Sequence, residues 1–403
     1  MSDFTTAVRR LGVAIAAFFG DGARSLAGGA GRIVSNGYRL AEDWLLDSKK
    51  ARYGLAVTRI LLGLSAVGLL LSNWSTRLYS FGSGSLWNGE GISAKSDFPH
   101  IWLFSAFHAA MPNDAVYTAL YLALLLLAVL FTLGWRTRFV HPVFLVLWVS
   151  FIEANDMLGD QGDNMYRIAL FFLLFSDCAG RWSLDARRRA RADTREPKGR
   201  RARQRRQNWQ QIQNLLHNLV LVVLTAQVSF VYVSGALYKA GGAPWQHGWA
   251  VYDPLMTDRF GTWPWLSDLV TAWGPIVTLA AWGSIIMQLS FPFMLLTRPT
   301  RIVGLAAILS FHVAIAVLMG LPWFSLSMIA IDSIFVRDRT WSAMATGLRD
   351  RIRGAGEVAR RRVPEPGRDV AGAADAGEAA PTSTTEGDAE PAVVREDAHP
   401  VSA

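Results

Sequence analysis

Lys239 is the side chain of this sequence best placed to do chemistry. It ends an apolar run in the stretch Tyr232-Val-Ser-Gly-Ala-Leu-Tyr-Lys239-Ala-Gly-Gly-Ala-Pro-Trp245, with Trp249 close behind. A lysine held in a partly apolar pocket can serve as a general base. The same residue has a structural reading, a long stem lying along apolar surface with its charged head at a boundary marked by tryptophans. Leu215 to Lys239 measures roughly 36 Å as a helix, so either role is played at the far end of a bilayer-length segment. Further polar groups interrupt apolar runs: Arg59, Arg167, His217, Gln227, Gln288, His312 and Asp332. Each acts either as an interhelical partner that fixes register or as the lining of a shared polar cavity. Asp156, Asp160 and Asp163 offer oxygen ligands to a hard cation, but without EF-hand spacing. Turn and capping roles account for them, and no metal is predicted. No phosphate-cradling glycine loop, zinc motif or nucleophile elbow is recognisable.

The elements that must position these residues are apolar runs close to the ~20 residues needed to cross a bilayer. Of the 403 residues 51% are hydrophobic, and many of the 16 tryptophans stand at run ends, where interface belts form. The first span is expected at about Tyr53–Ser72. Others follow at about Ala115–Leu133, Phe139–Ile152, Asn164–Cys178, Leu215–Tyr238, Ala272–Leu296, Ile302–Met319 and Pro322–Val336. The third and the last are short, as expected of a segment that is tilted, packed within protein or incompletely spanning. Phe98–Met111 is apolar but shorter still, which suits an interfacial or re-entrant helix. The fold class is therefore all-α, a polytopic transmembrane bundle of about eight spans.

Charge sets the orientation. The net +8 is concentrated in loops, with Arg136 and Arg138 in one, Arg298 and Arg301 in another, and twelve lysines and arginines between Gly180 and Gln213. All of these fall on the side of an N-terminal arm that carries Arg9, Arg10, Arg24, Arg32, Arg39, Lys49 and Lys50. The positive-inside rule then puts both termini in the cytoplasm of a multi-pass plasma-membrane protein. That distribution argues against nucleic acid as a partner and for membrane lipids. Cys178, the only cysteine, reads as buried filler and excludes an internal disulfide. The organisation expected is an amphipathic cytoplasmic arm over 1–51, a membrane domain over 52–340 and a disordered tail over 341–403, rich in Ala, Glu, Pro, Asp and Gly. Arg349, Arg351, Arg353 and Arg360–Arg362 could touch the membrane surface before the tail departs.

An ordered set of short matches across residues 53–340 resembles the horizontally transferred transmembrane (HTTM) superfamily. That family includes the membrane domain of vitamin K-dependent γ-glutamyl carboxylase and proteins of the sporulation-delaying protein B type. Leu55-Ala-Val-Thr-Arg59-Ile-Leu-Leu-Gly63 is similar to the carboxylase's first-helix pattern, and Arg181-Trp182-Ser183-Leu184-Asp185 to its Trp-Ser-Val-Asp segment. Gln227 through Trp245 resembles its stretch of Gln, Tyr-rich helix, Ala-Gly, Lys and Trp. Phe311-His312 and Met319–Met328 resemble its later Phe-His helix and the Gly-containing turn after it. The resemblance implies that Lys239 is the base that deprotonates a quinol, on the non-cytoplasmic side. Gln227, Trp245, His312 and Arg59 would then border a quinol or menaquinone-like lipid. The carboxylase's Asn-Asn-His has no counterpart between Asn155 and Arg167, and Gln288 stands where relatives commonly carry a carboxylate. A lumenal domain for a protein substrate is also not expected here, which points to quinone or lipid chemistry rather than peptide glutamate. Two functions follow: a quinol- or isoprenoid-lipid-dependent membrane enzyme acting on a small lipid or peptide, or a non-enzymatic factor in maturation or export of a secreted peptide.

Overall fold

A computed structural model describes residues 39–192 and 199–362, and every element among them is a helix. Most of the expected cytoplasmic arm, residues 1–38, lies outside the described residues, as does the tail beyond 362. The described residues up to Ala345 form one compact unit, and those from Thr346 a second.

Among the described residues, six helices are long and apolar enough to cross a membrane. They are α1 (Arg52–Ser72), α2 (Asp114–Leu133), α3 (Thr137–Ile152, continued as a 3-10 turn to Leu158), α5 (Arg200–Ala240), α6 (Gly274–Met294) and α7 (Arg298–Leu318). Two shorter helices complete the bundle, α4 (Gln161–Leu173) and α8 (Pro322–Asp332). The third expected span is thus longer than its sequence suggests, because Glu153–Leu158 extends it by a tighter turn. The fourth is shorter. An Asp160–Asp163 capping box starts α4 at Gln161, and it ends at Leu173, five residues before the expected limit at Cys178.

The apolar face of α1 sits at the centre, with Leu55, Leu62, Ala66 and Leu70 fully buried against α2 and α8. Gly63 makes the close approach to α2 possible, since a β-carbon there would stand 2.1 Å from the Thr132 hydroxyl. Gly68 does the same for the Trp323 ring of α8. Short α8 is packed within the protein. Its Ser327 hydroxyl bonds Ser65 across 2.8 Å, and Ser333 just beyond it bonds Thr58 across 3.0 Å.

Helix α5 begins fifteen residues before the expected span. Gly199 precedes it, and its Arg- and Gln-rich first turns contain no proline or internal glycine, so the helix set by the apolar span propagates outward. Phe98–Met111 forms short helical turns rather than one helix, with Phe107 buried edge-on against Tyr117 and Phe151. After α8 the chain returns to where α1 began. The Asp338 carboxylate accepts the amides of Arg52 and Tyr53 at 3.0 and 2.9 Å.

A tail without structure is expected from 341, yet α9 runs over Asp338–Arg362. Trp341, Met344, Leu348 and Ile352 recur at helical spacing there, among the strong helix formers Ala and Arg.

Candidate functional site

Three helices bring polar side chains to one interior line. The buried stripe of α5 reads Leu221, Leu224, Val228, Tyr232, Ala236, and Lys239 continues it one turn further. On α6 the stripe is Val277, Ala281, Ser284, Gln288, Phe291, and on α7 it is Gly304, Ile308, His312. These patterns follow the 3.6-residue period, so Tyr232 and Lys239 on α5, Ser284 and Gln288 on α6 and His312 on α7 enter an otherwise apolar seam.

At the end of α5 the Lys239 ammonium donates to Gln288 Oε1 at 2.8 Å. It lies 5.0 Å from the ring centroid of Trp245 and 5.2 Å from that of Phe311. Trp245 is brought there by a short helical turn, Ala243–Gln246, latched to α6 by the Trp282 indole donating to its carbonyl at 3.0 Å. The lysine is half-buried, and among the described residues no carboxylate pairs with it. A cation there is held by one neutral acceptor and two aromatic faces.

Two turns earlier on α5, roughly 10 Å along the axis, Tyr232 joins a second cluster. Its hydroxyl donates to Asp332 Oδ2 at 2.7 Å and meets His312 Nε2 at 3.0 Å. With the phenolic proton committed to Asp332, the imidazole Nε2–H donates to the phenol oxygen. That leaves His312 Nδ1 a bare acceptor, and among the described residues neither it nor Asp332 Oδ1 has a partner. Both residues are at least 95% buried, so two unpartnered acceptors sit in the bundle interior, an arrangement that demands a reason. The ring of Phe311 is edge-on to His312 at 5.2 Å and also faces Lys239, which joins the two clusters through one residue.

Of the residues expected to form the site, Lys239, Trp245 and His312 are therefore brought into one neighbourhood. Gln227 is not. It lies one face round on α5 and its amide meets Met165 Sδ at 3.6 Å. Arg59 is not either. It is fully buried at the opposite end, where its guanidinium donates to the carbonyls of Cys178 at 2.8 Å, Arg181 at 3.4 Å and Trp182 at 2.7 Å. The segment Arg181–Asp185 forms the other half of this clasp. Ser183 caps the short helix Leu184–Arg191, and the Asp185 carboxylate accepts the amides of Arg136 and Thr137 at 3.0 and 2.7 Å. Burial opposes the Asp185 charge. The bonds from Thr137 and Arg136, with the Arg188 guanidinium, outweigh that penalty and hold the carboxyl below its usual range.

Tyr232 and Asp332 are the members that sequence reasoning did not join. Asp332 stands out as an acid in an apolar segment, but its partner lies 100 positions away, and only the i, i+7 spacing of Tyr232 and Lys239 hints at a shared face. Arg167 pairs with Glu153, and its guanidinium stacks on Phe98 at 4.8 Å. A cavity of about 90 Å³ lies among Ser65, Trp148, Asp163, Tyr166, Phe324 and Ser327. It is far smaller than the roughly 300 Å³ of the smallest ordinary ligand pockets, and Lys239 does not line it.

Residues 202–341 match the family model of the HTTM domain. That segment contains α5 to α8, and with them Lys239, Trp245, Gln288, His312 and Asp332. No curated protein and no solved structure matches.

Proposed function

With an HTTM domain over residues 202–341 as the premise, we propose that this integral membrane protein is an enzyme that binds a quinol or other isoprenoid lipid beside Lys239. The amine takes a hydroxyl proton from it: the quinol O–H bond breaks, an N–H bond forms on Nζ, and the electron pair stays on oxygen. The observation that carries this reading is the setting of Lys239, an amine with an amide and two rings for company and, among the described residues, no anion. Lysine serves as a base in such surroundings. The unpartnered acceptors on His312 and Asp332 suit a ligand that presents hydroxyl donors. Lipid reaches this end of the bundle sideways, past exposed Leu237, Tyr238, Ile286 and Leu289 on the outer faces of α5 and α6. The likeness to the carboxylase membrane domain supports the same assignment.

The proposal includes a topology of eight crossings of the plasma membrane, with both termini cytoplasmic. It is supported by the Asp338 contact with Arg52 and Tyr53, which returns the chain to its starting end after eight helices. It is also supported by the arginines of 136–138, 181–191 and 298–301, which belong to that end.

The test is lipid extraction from purified protein, with mass spectrometry for quinones, alongside oxidation of added quinol with dioxygen supplied as the electron acceptor, by wild type and by Lys239→Ala. Co-purified quinone and turnover lost in a variant that keeps its thermal transition support the enzyme. No quinone and equal oxidation by both proteins would reject it, leaving a membrane factor for an exported peptide.

A further inference from the structure

Helix α9 is built unlike the bundle helices. Trp341, Met344, Leu348 and Ile352 fall within an arc of about 80° on a helix of 3.6 residues per turn. Met344, Leu348 and Ile352 are 59%, 60% and 62% exposed. Arg349 and Arg351 project about 80° to either side of the Trp341 direction, and Asp350 about 180° from it. An apolar stripe with a guanidinium on each shoulder and a carboxylate at the back is the pattern of a helix lying in a bilayer interface. The stripe enters the acyl boundary, the arginines reach phosphates, and the acid faces water.

The start of α9 is fixed at the right level for this. Asp338 caps the first turn of α1 through the amides of Arg52 and Tyr53, and the Trp341 indole donates to the Ser333 carbonyl at 3.4 Å. The helix therefore begins where the first spanning helix begins, at the arginine-rich end of the bundle. We infer that α9 lies in the membrane plane and binds an anionic phospholipid surface through its Trp341–Ile352 stripe and Arg349 and Arg351.

The test uses full-length protein in nanodiscs of phosphatidylcholine alone or with phosphatidylglycerol, in a Cys178→Ser background. An environment-sensitive fluorophore is attached to Leu348→Cys or to Asp350→Cys, and the lipids carry a quencher near the headgroup. The expected result is strong quenching at 348 and little at 350 in anionic discs. Quenching at 348 should weaken with salt, and partition should fall roughly five-fold for each of Arg349→Gln and Arg351→Gln. Equal quenching at the two positions, or none at 348, overturns the proposal. So does quenching at 348 that ignores both lipid charge and the arginine substitutions. Shielding at 348 that appears only when two copies share a disc also overturns it and assigns the stripe to a second chain.

Discussion

Lys239 Nζ stands 2.8 Å from Gln288 Oε1, so the amine at the end of α5 is held by a neutral amide. The choice of amide over carboxylate matters because a nearby anion favours the charged form of an amine. Gln288→Glu should therefore leave the protein folded and lower quinol oxidation by about ten-fold or more, the signature of a base kept protonated. Gln288→Leu, which removes the acceptor without adding charge, should cost about 1–3 kcal/mol in stability and retain more turnover than the glutamate variant. Thermal unfolding in detergent together with steady-state oxidation separates the two effects. Equal turnover in the Glu and Leu variants would mean that charge at position 288 does not control the amine.

The Tyr232 hydroxyl links His312 to Asp332, and both partners already carry one unpartnered atom. Tyr232→Phe keeps the ring contact with Phe291 at 5.0 Å but strips the carboxyl of its one donor. The expected cost is about 2–4 kcal/mol, since a buried acid without a hydrogen bond carries its full desolvation penalty. Asp332→Asn in the Tyr232→Phe background should recover part of it. A double-mutant cycle read by thermal unfolding measures the coupling. Additive losses would show that the two residues do not depend on each other.

The parts that were legible in the sequence are those encoded locally. The long spans follow from runs of apolar residues, and Lys239 follows from counting residues along one helix from Leu215. Trp245 is six residues further on and falls within reach of the amine once a tight turn intervenes. What could not be read is what depends on distant pairs. The short span α8 keeps Ser327 and Asp332, and Ser333 just after it, because α1 and α5 supply their partners, from up to 275 positions away. Length and hydropathy carry no trace of that. Arg59 looks like an intramembrane functional charge for the same reason. The three carbonyls that receive it belong to a turn about 120 residues later.

Asp185 gives the clasp a pH dependence of known sign. Its carboxyl is held below the usual range by the amides of Thr137 and Arg136 against the opposing effect of burial. A depressed folded-state value means that the stabilisation is complete above the unfolded aspartate value, near 4. It is lost as pH falls through the folded value. The thermal midpoint should therefore drop between about pH 4 and lower values in wild type, and Asp185→Asn should flatten that limb while lowering stability at neutral pH. A variant whose acid limb matches wild type would show that Asp185 does not set it.

Arg59 and the Lys239 cluster occupy opposite ends of the bundle, which lets their roles be separated. Guanidinium is a planar fork, and here both its terminal nitrogens are used, one on Cys178 and Arg181 and the other on Trp182. Lysine offers a single nitrogen on a stem that cannot serve both arms, so Arg59→Lys should destabilise by about 1–3 kcal/mol and Arg59→Met by more. The affected region should be the junction of 134–138 with 178–185, where Gly134 already stands 3.1 Å from the guanidinium carbon once a β-carbon is added. Faster amide exchange confined to those two loops, with quinone retention unchanged in the folded fraction, is the result expected of a clasp. Quinone lost from Arg59→Lys while its exchange pattern stays that of wild type would instead return Arg59 to the lipid site.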